Sequence, residues 1–450
     1  MNDLGKMRGF GQCIALLASF CLTINAWANG ILSDGMGGAR SMAMGGADVA
    51  WSSDPLSSMA INPAGMGFLT RPELNVGAIG GFASGTFNKL GVSNGNLSNS
   101  SGVLPQGAFA MPIAKTPVVV GISFTPESMD LANWHYQDPP GGLGGATSYG
   151  YQQDRSEILA LRSALGIAVQ IDPQWSVGAS VGATYNKNQL ATPYTFQNLS
   201  PGVPGNSALD GAKTLLSLNT SGYGWNGIAG VIYRPNPNLQ FGLSYESETH
   251  VTATGSASGD VGVQLGAQGP VPFSYDASVR TILPQQVRFG GSWKFLPQWR
   301  LAGQIDWVDW KDSFHNLPLN FSNGSNPTVN LDLGSSFGET VPLNWKSEFV
   351  YRTGIEFDPT ENWALRMGYS YGASPVPSST LTPMNAAIFE NTFTCGIGYH
   401  WKQYSVDFAY QYDIPTTQTI GTSGLLSGDY SNSSIKVSAQ TFALTGGIQF

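Results

Sequence analysis

Along much of the chain, apolar residues alternate with small or polar ones at a period of two. Val177, Ala179, Val181, Ala183 and Tyr185 alternate with Ser176, Gly178, Ser180, Gly182 and Thr184. Trp363, Leu365, Met367, Tyr369 and Tyr371 interleave with Ala364, Arg366, Gly368, Ser370 and Gly372. The runs Phe393 to Trp401 and Val406 to Tyr412 repeat the pattern. A period of two puts alternate side chains on opposite faces of a strand. One face is apolar and the other small, polar or charged. Such strands suit a wall with lipid outside and a polar interior.

The connections are of two kinds. Six are short: Pro112–Pro117, Ile171–Trp175, Arg234–Leu239, Phe295–Trp299, Phe357–Trp363 and Trp401–Ser405. Five of these contain proline, which presets φ and cannot donate to a ladder. Between them lie seven long stretches rich in Gly, Ser, Asn and Pro, at about 83–103, 127–156, 190–222, 250–283, 313–343, 373–390 and 415–435. Six short turns alternating with seven long loops predict an all-β, 14-stranded antiparallel transmembrane β-barrel with both ends on the periplasmic side.

The N-terminus predicts export. Lys6 and Arg8 precede the apolar stretch Ile14 to Ile24, and Ala26-Trp27-Ala28 has the form of a cleavage site. Residues 1–28 read as a signal peptide. Cys13 and Cys21 leave with it, so Cys395 is the single cysteine of the mature chain and no intramolecular disulfide is expected. Cleavage leaves 19 basic and 28 acidic residues, a net charge of −9, and no basic stripe for nucleic acid. No later segment is apolar enough for a transmembrane helix. Only 11% of residues are charged, against about 25% in ordinary soluble domains, while Gly reaches 57 residues and aromatics 11%. This composition fits the bacterial outer membrane rather than a soluble globule.

Residues 29–70 do not alternate. They mix Met, Ile, Leu, Val and Trp51 with small residues, and read as a compact N-terminal plug, with the barrel spanning 71–450. A 14-stranded barrel is too wide for its own side chains to fill, since about eight strands is the filled limit.

Gly38-Ala39-Arg40 with Asp48, and Asn62-Pro63-Ala64-Gly65-Met66, resemble the hatch of the long-chain fatty-acid transporter (FadL/TodX-type) family. Tyr223 to Gly227 with Leu243 to Ser247, Pro297-Gln298-Trp299 with Trp307 to Trp310, and Asn362-Trp363 with Ser374 to Pro377 are similar to its later hairpins, in the same order. The resemblance implies a hatch motif of Arg40, Asp48, Asn62, Pro63 and Ala64. It also implies passive uptake of a hydrophobic ligand, a fatty acid or hydrocarbon, through an inner pocket and a lateral opening on the third strand near Gly121. Lys346 matches a position associated with the ligand head group, and Lys187 is a looser match. Ile31 stands where the family has an aromatic pocket residue. Arg352 and Arg288 fall on polar strand faces and are further candidates for the pocket.

The segment Ala208 to Leu218 reads as a short amphipathic helix that catches ligand through Leu215 and Leu216, or as a loop packing on its neighbours. Phe442, Leu444, Ile448 and the terminal Phe450 alternate to the last residue, which resembles the signal that barrels show to their assembly machinery. Outer-membrane lipid and lipopolysaccharide are the other expected partners, of a monomer. No cofactor or metal is implied. Gly178-Ala179-Ser180-Val181-Gly182 has a hydrolase-like spacing, but it lies inside an alternating strand without the strand-to-helix elbow that chemistry needs, and the four histidines are scattered. No enzyme is expected. The alternative is a non-specific or structural porin.

Overall fold

A computed structural model describes residues 37–200 and 209–450. The expected signal peptide and Ile31 lie outside the described residues. The barrel strands are β1 (Glu73–Lys89), β2 (Gly95–Pro112), β3 (Val118–Gln137), β4 (Tyr151–Gln170), β5 (Trp175–Thr195) and β6 (Lys213–Asn236). Four strands follow in two segments each: β7 (Leu239–Glu246, Thr249–Asp260), β8 (Pro272–Leu283, Gln286–Leu296), β9 (Trp299–Val308, Asn316–Ser322) and β10 (Phe337–Pro342, Glu348–Phe357). The last are β11 (Trp363–Gly372), β12 (Asn391–Trp401), β13 (Tyr404–Ile420) and β14 (Ser433–Gln449).

Neighbours in sequence pair antiparallel, and β14 returns to β1 from Glu73↔Gln449 to Lys89↔Ser433. The result is a closed 14-stranded barrel. Closure matters because a backbone polar group left open in hydrocarbon has no water to bond. No helix of the described residues is long and apolar enough to cross a membrane, so the strands do the crossing.

The alternation has the expected sense. On β11, Leu365, Met367, Tyr369 and Tyr371 are exposed, while Ala364, Arg366 and Ser370 are buried. An outward charge at mid-bilayer costs about 2–4 kcal/mol, which keeps arginines such as Arg366 on the inner face. All six short turns fall where expected. Beside three of them, aromatic rings pair across strands: Trp175 with Tyr233 at 4.3 Å, Trp299 with Phe357 at 4.4 Å and Trp363 with Tyr399 at 4.6 Å. These pairs mark an interface belt at the short-turn end.

The long loops are shorter than expected, because much of each runs on as strand. In Thr249–Asp260, Val251, Ala253 and Ala257 are buried while Thr252, Thr254 and Ser258 are exposed. Alternation continues beyond the lipid with Ser and Thr outside in place of Leu and Phe, so the polar composition concealed it. The expected helix over 208–218 is corrected for the same reason. From Lys213 the chain is strand β6, pairing Leu215↔Pro193 and Leu216↔Thr192. Leu216 and Leu218 turn inward, one residue apart from exposed Ser217.

At the C-terminus, Phe450 N–H donates to Pro72 O at 2.9 Å, and its ring is exposed. Deleting Phe450 is expected to lower the yield of folded barrel in the outer membrane, read by heat-modifiable gel mobility of the membrane fraction. An unchanged yield would remove the assembly role.

Candidate ligand cavity and wall interruption

The segment before β1 occupies the lumen. It carries α1 (Gly38–Ala43), α2 (Pro55–Ala60) and a 3-10 turn (Pro63–Phe68). Asp54 caps α2 by accepting from Ser57 N–H at 2.9 Å, with Pro55 at the first helical position. Arg40 organises the segment. Its Nη2 contacts Asp48 Oδ1 at 3.1 Å and donates to Trp51 O at 2.9 Å, and its Nε meets Asp54 at 3.1 Å.

The wall holds the segment from several sides. Asp48 and Val49 N–H both donate to Gln304 Oε1, Gly45 N–H donates to Thr394 Oγ1, and Ala39 N–H donates to Thr445 Oγ1. Asn62 Nδ2 donates to Val49 O at 2.8 Å and to Val231 O in the wall, and Ser176 Oγ donates to Ala64 O at 2.7 Å. A side chain at Gly368 would strike Gly45, and one at Gly178 would strike Pro63. The Gly178–Gly182 stretch is thus a seat for this segment, and its Ser180 Oγ accepts from Arg162 at 3.0 Å.

On the long-loop side of this segment lies a cavity of about 310 Å³. Its walls are largely apolar, with Ile158, Leu216, Leu218, Val279, Trp310 and Trp345 among them. Its charged residues on the strand walls stand in pairs. Arg162 Nε donates to Asn226 Oδ1 at 2.6 Å and lies 3.7 Å from Glu127, which accepts from Thr184 at 2.7 Å. Arg288 pairs with Glu246 at 2.6 Å. Arg162, Glu127 and Glu246 were missed from sequence. Their signal is a lone charge on the inner face of a strand, as in Leu159-Ala160-Leu161-Arg162-Ser163-Ala164-Leu165.

The cavity reaches a discontinuity in the wall. The β2–β3 ladder runs from Pro112↔Val119 to Gly107↔Phe124 and resumes only at Leu97↔Trp134. Within this gap, residues 103–106 and 125–128 face each other without ladder pairing between β2 and β3. β3 bulges between Pro126 and Ser128, and Thr125, Pro126, Glu127 and Ser128 all line the cavity. Pro105 and Pro126 border the interruption, and neither has an N–H to donate. Gly121, the expected site of the opening, lies in the intact ladder, paired with Ala110 and Gly166. A side chain there would strike Met66 Sδ. The glycine admits the plug, and the interruption begins four residues later.

The expected head-group cations sit elsewhere. Lys346 is exposed and outside the cavity lining; Trp345 beside it is the residue that turns inward, at the break between the two segments of β10. Lys187 shares the outward parity of Tyr185 and pairs with Glu157 at 3.0 Å. Arg352 points inward but meets Asp306 at 2.6 Å and donates to Gly45 O, so it holds the plug. Leu216 lines the cavity, whereas Leu215 is half-buried beside it. Of the cations named from sequence, only Arg288 reaches the cavity.

A buried lysine ties the roof. Lys213 Nζ lies 2.7 Å from Asp138, from Asp429 and from Pro139 O, joining three loops. Burial holds the Asp138 carboxyl above its usual range in spite of the lysine. Removing one partner of such a cluster leaves buried charge uncompensated, at a cost of about 3–5 kcal/mol. Lys213→Met is therefore expected to expose the loops at 138–150 and 421–432 to external protease on intact cells, with the barrel itself still resistant. Undiminished loop protection would show that the lysine does not hold the roof.

Three kinds of comparison place these features among known proteins. The profile of a family described as outer membrane protein transport protein (OMPP1/FadL/TodX) matches residues 19–450. The chain is 23% identical over 394 residues to a long-chain fatty acid transport protein of Escherichia coli O6:H1, covering 81% of each. It is 23% identical over 404 residues to one of Salmonella typhi, covering 82% of this chain and 83% of that one. Among solved structures, it is similar to the Pseudomonas putida toluene transporter TodX, with a TM-score of 0.72 at 19% identity over 92% of this chain and 98% of that one. The Ralstonia pickettii toluene transporter TbuX gives 0.68 at 21% identity, with the same coverage.

Proposed function

The chain belongs to the outer membrane protein transport family, whose members are transporters or channels rather than enzymes, and from that membership we propose that it passes hydrophobic compounds across the outer membrane by facilitated diffusion. In this reading residues 29–70 are a hatch that bars the axial path. Ligand rests in the cavity and leaves sideways into the membrane between β2 and β3. The observation that supports the reading is the continuity of an apolar cavity, at Thr125 to Ser128, with an interruption of the β2–β3 ladder. An apolar tail gains about 0.8 kcal/mol per buried CH₂ in such a cavity and would lose it in a water-filled pore. A sideways exit keeps the tail out of water. Export by a cleavable signal over residues 1–28 and insertion by the barrel-assembly machinery complete the proposal.

The cations of the cavity favour an uncharged ligand among the family's fatty acids and hydrocarbons. Arg162 stands beside Glu127 and Arg288 beside Glu246, so a carboxylate would bring a surplus negative charge into a low-dielectric space. The lumen-filling segment weighs against an open porin.

The exit can be closed reversibly. In a Cys395→Ala background, Gly102→Cys and Ser128→Cys place thiols on the two edges of the interruption. Bridging them with a reducible bifunctional reagent is expected to slow uptake of radiolabelled toluene by about tenfold or more, equivalent to about 1.4 kcal/mol on the barrier. Reduction should restore it. Uptake indifferent to bridging would sink the lateral exit.

A further inference from the structure

Among the described residues lining the cavity, three buried N–H groups have no acceptor in the protein, Arg288 Nη1, Trp310 Nε1 and Trp345 Nε1, of which Trp310 has the Glu348 carboxyl group beside it. Arg288 is 2% exposed and Trp345 9%. A buried donor left unmet costs free energy, so native sites give such groups a partner. We propose that Arg288 and Trp345 form a subsite for a hydrogen-bond acceptor on an otherwise apolar, uncharged ligand: the oxygen of a ketone, ester or alcohol. This rests on the transport reading above and names the substrate class of the same cavity.

The geometry favours a neutral acceptor over an acid. Arg288 Nη2 already meets Glu246 Oε2 at 2.6 Å and Gln286 Oε1 at 2.9 Å. The guanidinium charge is thus matched, and what remains open is Nη1 with its two N–H groups. A ketone oxygen fills it without adding charge. A carboxylate would fill it and leave the Glu127, Glu246, Arg162 and Arg288 group net negative in a buried place. A plain hydrocarbon would leave both donors unmet or dependent on trapped water. The register explains why Arg288 is available. It stands opposite Ser244 on β7 and Asp306 on β9, and Asp306 is engaged by Arg352 at 2.6 Å. The break in β10 at 343–347 turns Trp345 into the same cavity, where its ring packs on Phe314 at 4.9 Å and Trp310 at 5.1 Å. The aromatic rings supply the apolar bed, and Arg288 Nη1 and Trp345 Nε1 the polar point.

The test compares three chain-matched probes, decane, 2-decanone and decanoate, for binding to the full-length mature protein in nanodiscs by isothermal titration. The wild type is expected to bind 2-decanone about tenfold or more tighter than decane, as one hydrogen bond to a charged donor implies, and decanoate more weakly than 2-decanone. In Arg288→Met/Glu246→Gln, which removes both charges together, the ketone preference should fall to within about twofold to threefold while decane binding persists. Trp345→Phe keeps the ring and removes only the N–H. It should lower the ketone preference in the same sense, and it serves if the double variant does not assemble. Equal binding of decane and 2-decanone by the wild type, tightest binding of decanoate, or an unchanged ketone preference in both variants would overturn the subsite. Absence of binding for all three probes by the wild type would instead count against the transport reading.

Discussion

In hydrocarbon a backbone N–H or C=O has no water to fall back on, and the whole molecule follows from that constraint. It forces the sheet to close, which the β1–β14 ladder does over its full length. It also makes each interruption in the wall informative. Among the described residues the ladder is interrupted between β2 and β3, β6 and β7, β8 and β9, and β9 and β10, and two of these contrast. Between β8 and β9 the pairing stops at Val279↔Leu319 and resumes at Gln286↔Val308. There the chain repairs itself: Asp309 N–H donates to Gln285 O, Trp345 N–H donates to Phe314 O, and Trp310, Phe314 and Trp345 pack into the space. Between β2 and β3, proline on each edge removes two donors that would otherwise seek partners. The β8–β9 interruption is filled by aromatic rings that also line the cavity, and the β2–β3 interruption meets the cavity at Thr125 to Ser128.

The few charges follow the same logic. With lipid outside, the strands hold most of theirs inward, and inside a low dielectric each needs an opposite. Arg366 lies 2.6 Å from both Glu356 and Asp407, Arg352 2.6 Å from Asp306, and Arg288 2.6 Å from Glu246. Such pairs are weak arguments for net stability, but breaking one is costly, so they fix positions. Arg352 shows the use of this, since its remaining donor holds Gly45 O of the plug. The polar lumen serves as a template on which a segment of little regular structure takes one conformation.

The barrel was legible in the sequence because its two signals are local. Alternation needs only neighbouring residues, and five of the six short turns announce themselves by proline. The outer strand extensions were not legible. In Thr249–Asp260 the alternation is Val and Ala against Ser and Thr, and such composition reads as loop unless the exposed face is known to be wet. Of the residues singled out by resemblance near the N-terminus, Arg40, Asp48 and Asn62 make bonds within that segment. The cavity residues were less so. Glu127 depends on a bulge, Trp345 on a break within β10, and Arg162 on the parity of β4, none of which spacing alone reveals.

The placement of Lys346 and Lys187 is the most instructive of these. Both were expected at the ligand because a carboxylate calls for a cation, and both lie off the cavity: one beside a strand break, the other on the outward parity. The cations that do reach the cavity arrive already paired. A site that recognised an anion by charge would have to leave a cation unmatched until ligand came, at a large desolvation cost in the empty state. This cavity avoids that cost by matching its charges in advance, which gives up attraction for acids and keeps an apolar bed with directional donors. Selection then rests on shape, on burial of apolar area and on a few directional N–H groups. Those terms act on molecules that partition into a membrane of their own accord, which is consistent with an opening that faces lipid rather than water.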